Sequence, residues 1–158
     1  MLLEREDLAP DSADKDGRTP FSWATEFGHE GIAKMLLKRE DVAPNSVDHG
    51  GRTPLSWAAE FGDEAIVRML SEREDVVSDS VDYDGRTPLS WAAESGYMAV
   101  VIILLWREDV TLNTADKNGR TPLSWAAWEG YEDILAMLLQ RGDLNASAAD
   151  NSSQTPLS

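Results

Sequence analysis

The tetrapeptide Gly-Arg-Thr-Pro begins at Gly17, Gly51, Gly85 and Gly119, each 34 residues after the last, and Thr155-Pro156 falls on the same grid. A strict period of this length constrains the fold more than any other feature, because it means one supersecondary unit used repeatedly. It divides the chain into a partial unit at 1–16, full units at 17–50, 51–84, 85–118 and 119–152, and the start of a further unit at 153–158, all within a single domain 1–158. Ser22, Trp23, Ala24, Gly28, Leu36 and Asp48 also recur in every full unit. Agreement of this kind within one chain points to duplication.

Each unit reads as helix, turn, helix and an extended connection. Thr19 is a helix N-cap, its hydroxyl accepting an orphan backbone N–H, and Pro20 fits the first helical position because its missing N–H has no partner there. Gly28 closes this short helix about two turns later, and Ile32, Met35 and Leu36 mark the buried side of a second helix. Asp48-His49-Gly50-Gly51, Asp82-Tyr83-Asp84-Gly85 and Asp116-Lys117-Asn118-Gly119 are turn sequences. A helix pair of this size cannot bury its own apolar face, so the units must stack into a short solenoid.

The run Gly-Arg-Thr-Pro-Leu-Ser-Trp-Ala-Ala-Glu-x-Gly, followed by an aliphatic helix and Asp-Val, resembles the ankyrin repeat over essentially the whole chain. The resemblance implies an all-α ankyrin-repeat solenoid of stacked helix-turn-helix units with β-hairpin-like loops. Trp after the core Ser, and Arg-Glu-Asp-Val after helix two, make these 34-residue repeats similar to those of large fungal ankyrin proteins, some with NACHT-type nucleotide-binding domains. The sequence also departs from the family pattern. The usual period is 33, the usual His after Thr-Pro-Leu is replaced by Ser22, Ser56, Ser90 and Ser124, and the usual Gly after helix two is Glu40, Glu74 and Glu108, surviving only as Gly142. The fold is expected to survive, with a different exit from helix two and the extra residue absorbed before the hairpin.

Composition narrows the function. Lys and Arg number 14 against 29 Asp and Glu, a net charge of −15, which argues against unaided binding to nucleic acid or anionic lipid. No stretch approaches the roughly 20 apolar residues of a membrane span. The absence of cysteine rules out disulfides, thiolate metal sites and a cysteine nucleophile. His29 and His49 occupy unrelated positions of one unit and do not recur, so they read as surface histidines rather than metal ligands or proton shuttles. The recurring serines have no histidine beside them and read as capping or packing groups. Single glycines form no phosphate-cradling loop. The ladder Asp14, Asp48, Asp82, Asp116 and Asp150 reads as hairpin capping, and the ladder Asp41, Asp75, Asp109 and Asp143 as solvated surface, because ligands a full repeat apart do not make a calcium loop. The expectation is a non-catalytic, cofactor-free, metal-free protein-binding module, intracellular and cytoplasmic, with a protein partner.

In ankyrin proteins partners tend to sit in the groove formed by hairpin tips and the exposed face of helix one. By register that surface holds Lys15, Arg18, Phe27, His49, Arg52, Phe61, Tyr83, Arg86, Lys117, Arg120 and Trp128. Aromatic side chains and arginine dominate binding energetics, although the four arginines can equally pair with carboxylates along the stack. Trp128 replaces the Glu of the other units. On helix two, positions that are charged in the first two units become Met98, Ile102 and Trp106 in the third, which reads as an apolar patch for weak homo-oligomerisation or a partner. Both chain ends fall mid-unit without polar capping sequence, as expected of a segment from a longer array.

Overall fold

The computed structural model describes residues 10–156, with eight helices among them: α1 (Pro20–Glu26), α2 (Glu30–Leu36), α3 (Pro54–Phe61), α4 (Glu64–Ser71), α5 (Pro88–Ser95), α6 (Met98–Leu105), α7 (Pro122–Glu129) and α8 (Glu132–Leu139). The first helices of successive units, α1, α3, α5 and α7, pack in one row. The second helices, α2, α4, α6 and α8, pack in another.

Local chemistry sets each start and stop. Thr19, Thr53, Thr87 and Thr121 are extended N-caps whose hydroxyls accept the backbone N–H of Ser22, Ser56, Ser90 and Ser124 at 3.2–3.3 Å, and a proline opens each first helix. The serine hydroxyls face the threonine hydroxyls at 3.0–3.1 Å, a capping role within the helix signature. Gly62, Gly96 and Gly130 end α3, α5 and α7 in the left-handed region, at φ 75° to 81°. The rings of Tyr97 and Tyr131 lie directly against Gly62 and Gly96, where a Cβ would collide with them.

The core is continuous and repeats by unit. Phe21, Leu55, Leu89 and Leu123 from the first helices meet Leu36, Leu70, Leu104 and Leu138 from the second, with Ala24, Ala58, Ala92 and Ala126 allowing close approach. The first unit differs from the expectation for its second helix. Leu36 is buried, but Ile32 and Met35 are 49% and 51% exposed, whereas Ile66, Val100 and Ile134 at the position of Ile32 are buried. Those three have a preceding second helix beside them; among the described residues α2 has none.

The second helices end without a left-handed residue: Leu37, Glu72, Trp106 and Gln140 all remain right-handed. Arginine replaces the usual glycine device. Arg73 Nη1 donates to Leu37 O at 3.3 Å, Arg107 Nη1 to Ser71 O at 2.8 Å and Arg73 O at 2.9 Å, and Arg141 Nη1 to Leu105 O at 3.1 Å. Each guanidinium thus satisfies carbonyls at the helix-two exit of the unit before it, groups that otherwise lack partners. The aspartate two residues on holds the arginine in place: Arg39–Asp41 at 2.7 Å, Arg73–Asp75 at 2.6 Å, Arg107–Asp109 at 2.8 Å and Arg141–Asp143 at 3.6 Å. The second aspartate ladder is therefore not merely solvated surface. Its carboxylates are exposed but paired, and hydrogen bonds from Arg39, Arg73 and Arg107 hold Asp41, Asp75 and Asp109 below the usual carboxylate range.

The extended connections also interlock. His49 N–H donates to Asp16 O, Tyr83 N–H to Gly50 O, Lys117 N–H to Asp84 O and Asn151 N–H to Asn118 O, at 2.8–2.9 Å. Within each turn the first-ladder aspartate accepts two backbone N–H groups through one oxygen: Asp48 Oδ1, for example, from Gly50 at 2.8 Å and Arg52 at 3.0 Å.

Candidate functional site

The face bearing the hairpins and first helices is built on an alternating column of arginine and tryptophan. Arg18 lies between Trp23 and Trp57, with its guanidinium carbon 4.7 and 4.2 Å from the ring centroids. Arg52 lies 3.9 Å from both Trp57 and Trp91, and Arg86 lies 4.3 Å from Trp91 and 3.9 Å from Trp125. Arg120 completes the series between Trp125 at 4.8 Å and Trp128 at 4.5 Å. Glu26 pairs with Arg18 at 2.5 Å, Glu60 with Arg52 at 2.6 Å, and Glu94 with Arg86. Indole N–H groups of Trp23, Trp57 and Trp91 donate to Asp14, Asp48 and Asp82 at 2.9–3.1 Å, whereas Trp125 Nε1 is buried without a partner. A cation between two rings with a carboxylate at its edge contributes about 1–2 kcal/mol, and each such rung ties one unit to the next.

The column decides what the four predicted arginines can do. The side chains of Arg18, Arg52, Arg86 and Arg120 are only 13–24% exposed, and their charges are already matched by Glu26, Glu60 and Glu94 or, for Arg120, by Asp150 at 3.7 Å. They form the floor of the surface rather than free cations on it. Sequence reasoning treated the tryptophans as fold signature and missed their part in this floor; the signal was the joint recurrence of Arg and Trp in every unit.

The other predicted residues separate into three groups. Lys15, His49, Tyr83 and Lys117 are exposed at the hairpin tips, where the interlocked backbone spaces them one per unit. The rings of His49 and Tyr83 rest on Gly17 and Gly51 of the preceding turns. Phe27 and Phe61, 60% and 50% exposed, line one cleft of about 1090 Å³ with Glu30, Lys34, Asp63 and Arg68. Each stacks on the tryptophan of its own unit, Phe27 on Trp23 at 5.7 Å and Phe61 on Trp57 at 6.1 Å. Trp128, 61% exposed, lines a separate cleft of about 340 Å³ with Arg120, Asp150 and Gln154.

The apolar triad on helix two differs from expectation. Met98 packs against the core and Ile102 is half-buried, while Trp106, one residue beyond the end of α6, is 80% exposed. The reason is position: α6 lies between α4 and α8, so Met98 and Ile102 are partly covered, while Trp106, past the last turn, stands clear.

A family model described as ankyrin repeats (3 copies) matches residues 1–80 and again 74–150. The chain belongs to the ankyrin-repeat family. Comparison with curated proteins gives no match. Ankyrin repeats are generally non-catalytic protein-interaction modules, and this array has the all-α stacked architecture of the family. No helix among the described residues is long and apolar enough to cross a membrane, and no group of three or more His, Asp or Glu among them is placed to hold a metal ion. His29 is exposed and stacks on Phe27 at 6.1 Å.

Proposed function

We propose that this ankyrin array is a non-catalytic recognition module, one domain across 1–158, that binds a protein partner on the face bearing the hairpin tips and first helices. The observation that carries the reading is the exposure of Phe27, Phe61, Tyr83 and Trp128, each at least half accessible, above a floor immobilised by the arginine–tryptophan column. Large aromatic groups already held in one orientation lose little entropy on binding, which suits them as anchors. Lys15, His49 and Lys117 supply polar contacts at the rim, and Arg18, Arg52, Arg86 and Arg120 act from beneath. An intracellular setting fits this reading. The test is affinity capture with the full chain, followed by titration of the captured partner against Tyr83→Ala and Trp128→Ala. Each substitution should weaken binding at least tenfold while the circular dichroism spectrum is retained; a partner that binds both variants as it binds the parent refutes the reading.

A second reading rests on Trp106, the most exposed large hydrophobic side chain among those described. In it the array is a spacer that self-associates weakly through the third unit, as the repeat region of a NACHT-type signalling protein similar to the fungal ankyrin proteins. A net charge of −15 opposes close approach of two copies, so the recognition reading is preferred. Sedimentation equilibrium of the parent and Trp106→Lys tests the alternative.

A further inference from the structure

Five of the six tryptophans, Trp23, Trp57, Trp91, Trp125 and Trp128, hold an arginine against their rings. Trp106 does not, although it is the most exposed of them. It lines a cleft of about 460 Å³ between α4 and α6, whose apolar floor includes Ala99 and Ile102 and whose opposite wall carries Glu72. The two cations bordering this cleft are engaged elsewhere, Arg68 with Glu64 at 2.8 Å and Arg107 with Asp109 at 2.8 Å and with three backbone carbonyls. The side chain of Glu72 is exposed and has no ion-pair partner among the described residues. An unpartnered indole face and an unpartnered carboxylate thus border one apolar cleft, the same two groups that hold a guanidinium at Arg18, Arg52 and Arg86.

We propose that the α4/α6 cleft docks an arginine-bearing apolar segment of a partner protein. The guanidinium stacks on Trp106 and pairs with Glu72, and the adjoining apolar side chain of the segment covers Ala99 and Ile102. Complementarity selects this occupant over a second copy of the chain. Neither cation bordering the cleft pairs with Glu72, an incoming arginine supplies one that does, and a second copy carrying −15 brings further repulsion. Arginine is favoured over lysine because its planar group stacks on a ring while its edge pairs with a carboxylate. The cleft shares Glu64, Arg68 and Glu72 with the neighbouring cleft that holds Phe27 and Phe61, whereas Tyr83 and Trp128 line neither.

The test uses the full chain and a fluorescein-labelled octapeptide with one arginine flanked by leucines, beside versions with glutamine or lysine in its place. Fluorescence anisotropy measures affinity, and the indole N–H resonances in a proton–nitrogen spectrum locate the contact. The arginine peptide should bind saturably and shift the Trp106 indole signal. Binding should fall about tenfold with the glutamine peptide, and similarly with Trp106→Ala and Glu72→Gln, while the lysine peptide falls in between and Trp128→Ala leaves it unchanged. Equal affinity for the arginine and glutamine peptides, indifference to Trp106→Ala, or no binding at millimolar peptide overturns the proposal. So does a parent dimer that Trp106→Lys dissociates, which assigns the cleft to a second copy.

Discussion

At the position held by Asn45 in the first unit and Asn113 in the third, the second unit carries Asp79, and the geometry shows what that exchange costs. Asn45 clasps the next unit with both ends of its amide, its oxygen accepting Val77 N–H at 2.9 Å and its nitrogen donating to Asp75 O at 2.6 Å. Asn113 repeats the clasp, accepting Asn145 N–H at 2.7 Å and donating to Asp143 O at 2.8 Å. A carboxylate has no proton for the second bond. Asp79 takes the Thr111 hydroxyl at 2.5 Å on one oxygen, while its other oxygen is buried without a partner. Burial pushes the Asp79 carboxyl above its ordinary value, against the lowering effect of Thr111 and with a smaller push from the Asp109 charge. The folded array therefore binds a proton there more tightly than the unfolded chain does. The ionised form costs stability at neutral pH, and the cost disappears as pH falls through the folded value. Asp79→Asn should restore the donor and relieve the stranded oxygen. A gained hydrogen bond and a satisfied acceptor are worth about 1 kcal/mol each, discounted to about 1 kcal/mol in total at this half-exposed site, or roughly 2–4 °C in Tm. Urea unfolding followed by circular dichroism at pH 7 and pH 4 measures it. The variant should be the more stable at pH 7, with the gain shrinking toward pH 4 as the raised carboxyl takes up protons and can donate as the amide does. Equal stability at pH 7, or a gain undiminished at pH 4, refutes the reasoning; Asn113→Asp should produce the opposite change.

Arg86→Lys should lose about 1–2 kcal/mol, because an ammonium cannot stack flat between Trp91 and Trp125 while pairing with Glu94; urea midpoints within experimental error of the parent contradict the column's energetic role. Asp109, held below its ordinary range chiefly by the hydrogen bond from Arg107, contributes stability that is present above the usual carboxylate value and lost as pH falls through its folded value. Asp109→Asn should therefore be slightly less stable than the parent at pH 7, by about 0.5 kcal/mol for a partly exposed pair, with the difference closing as pH falls through the folded value of Asp109. Gly51→Ala places a methyl at φ 77° within 2.7 Å of the Tyr83 ring and 2.9 Å of the Tyr83 backbone nitrogen. It should cost about 1–2 kcal/mol in thermal or urea unfolding, and Tyr83→Ala should not rescue it, since the backbone contact remains.

How much of this could be read from the sequence depended on whether a feature was local. The caps at Thr19, Thr53, Thr87 and Thr121, the prolines behind them and the glycine stops involve residues within one or two turns, and sequence spacing locates them. The column was not legible in the same way. Arg18 meets Trp23 of its own unit and Trp57 of the next, and recurrence shows that both residue types matter without showing which copies touch. The helix-two exit was half legible: loss of glycine at Glu40, Glu74 and Glu108 signalled a different ending, but the donor that replaced it, Arg73 or Arg107, comes from the following unit. The triad at Met98, Ile102 and Trp106 was half legible: spacing places all three on one face, but the coverage of Met98 and Ile102 comes from the neighbouring helices α4 and α8, which one unit's sequence does not show.

The same distinction separates framework from contact surface. Most residues tying one unit to the next, namely the column arginine, its two tryptophans, the turn aspartate and the arginine beyond helix two, are repeated almost without change, because stacking demands the same geometry at each interface; the Asn45 position is the exception. The side chains left over vary between units: Lys15, His49, Tyr83 and Lys117 at the tips, Phe27 and Phe61 replaced by Ser95 and Glu129, and Trp128 in place of glutamate. Trp128 shows why a duplicated array can change such a position. Glu26, Glu60 and Glu94 neutralise their arginines through an ion pair, and Trp128 covers Arg120 with its ring instead, while Asp150 supplies the charge. The framework cation remains compensated in either case, so the exchange leaves the stack intact while converting an acidic surface position into an exposed aromatic one.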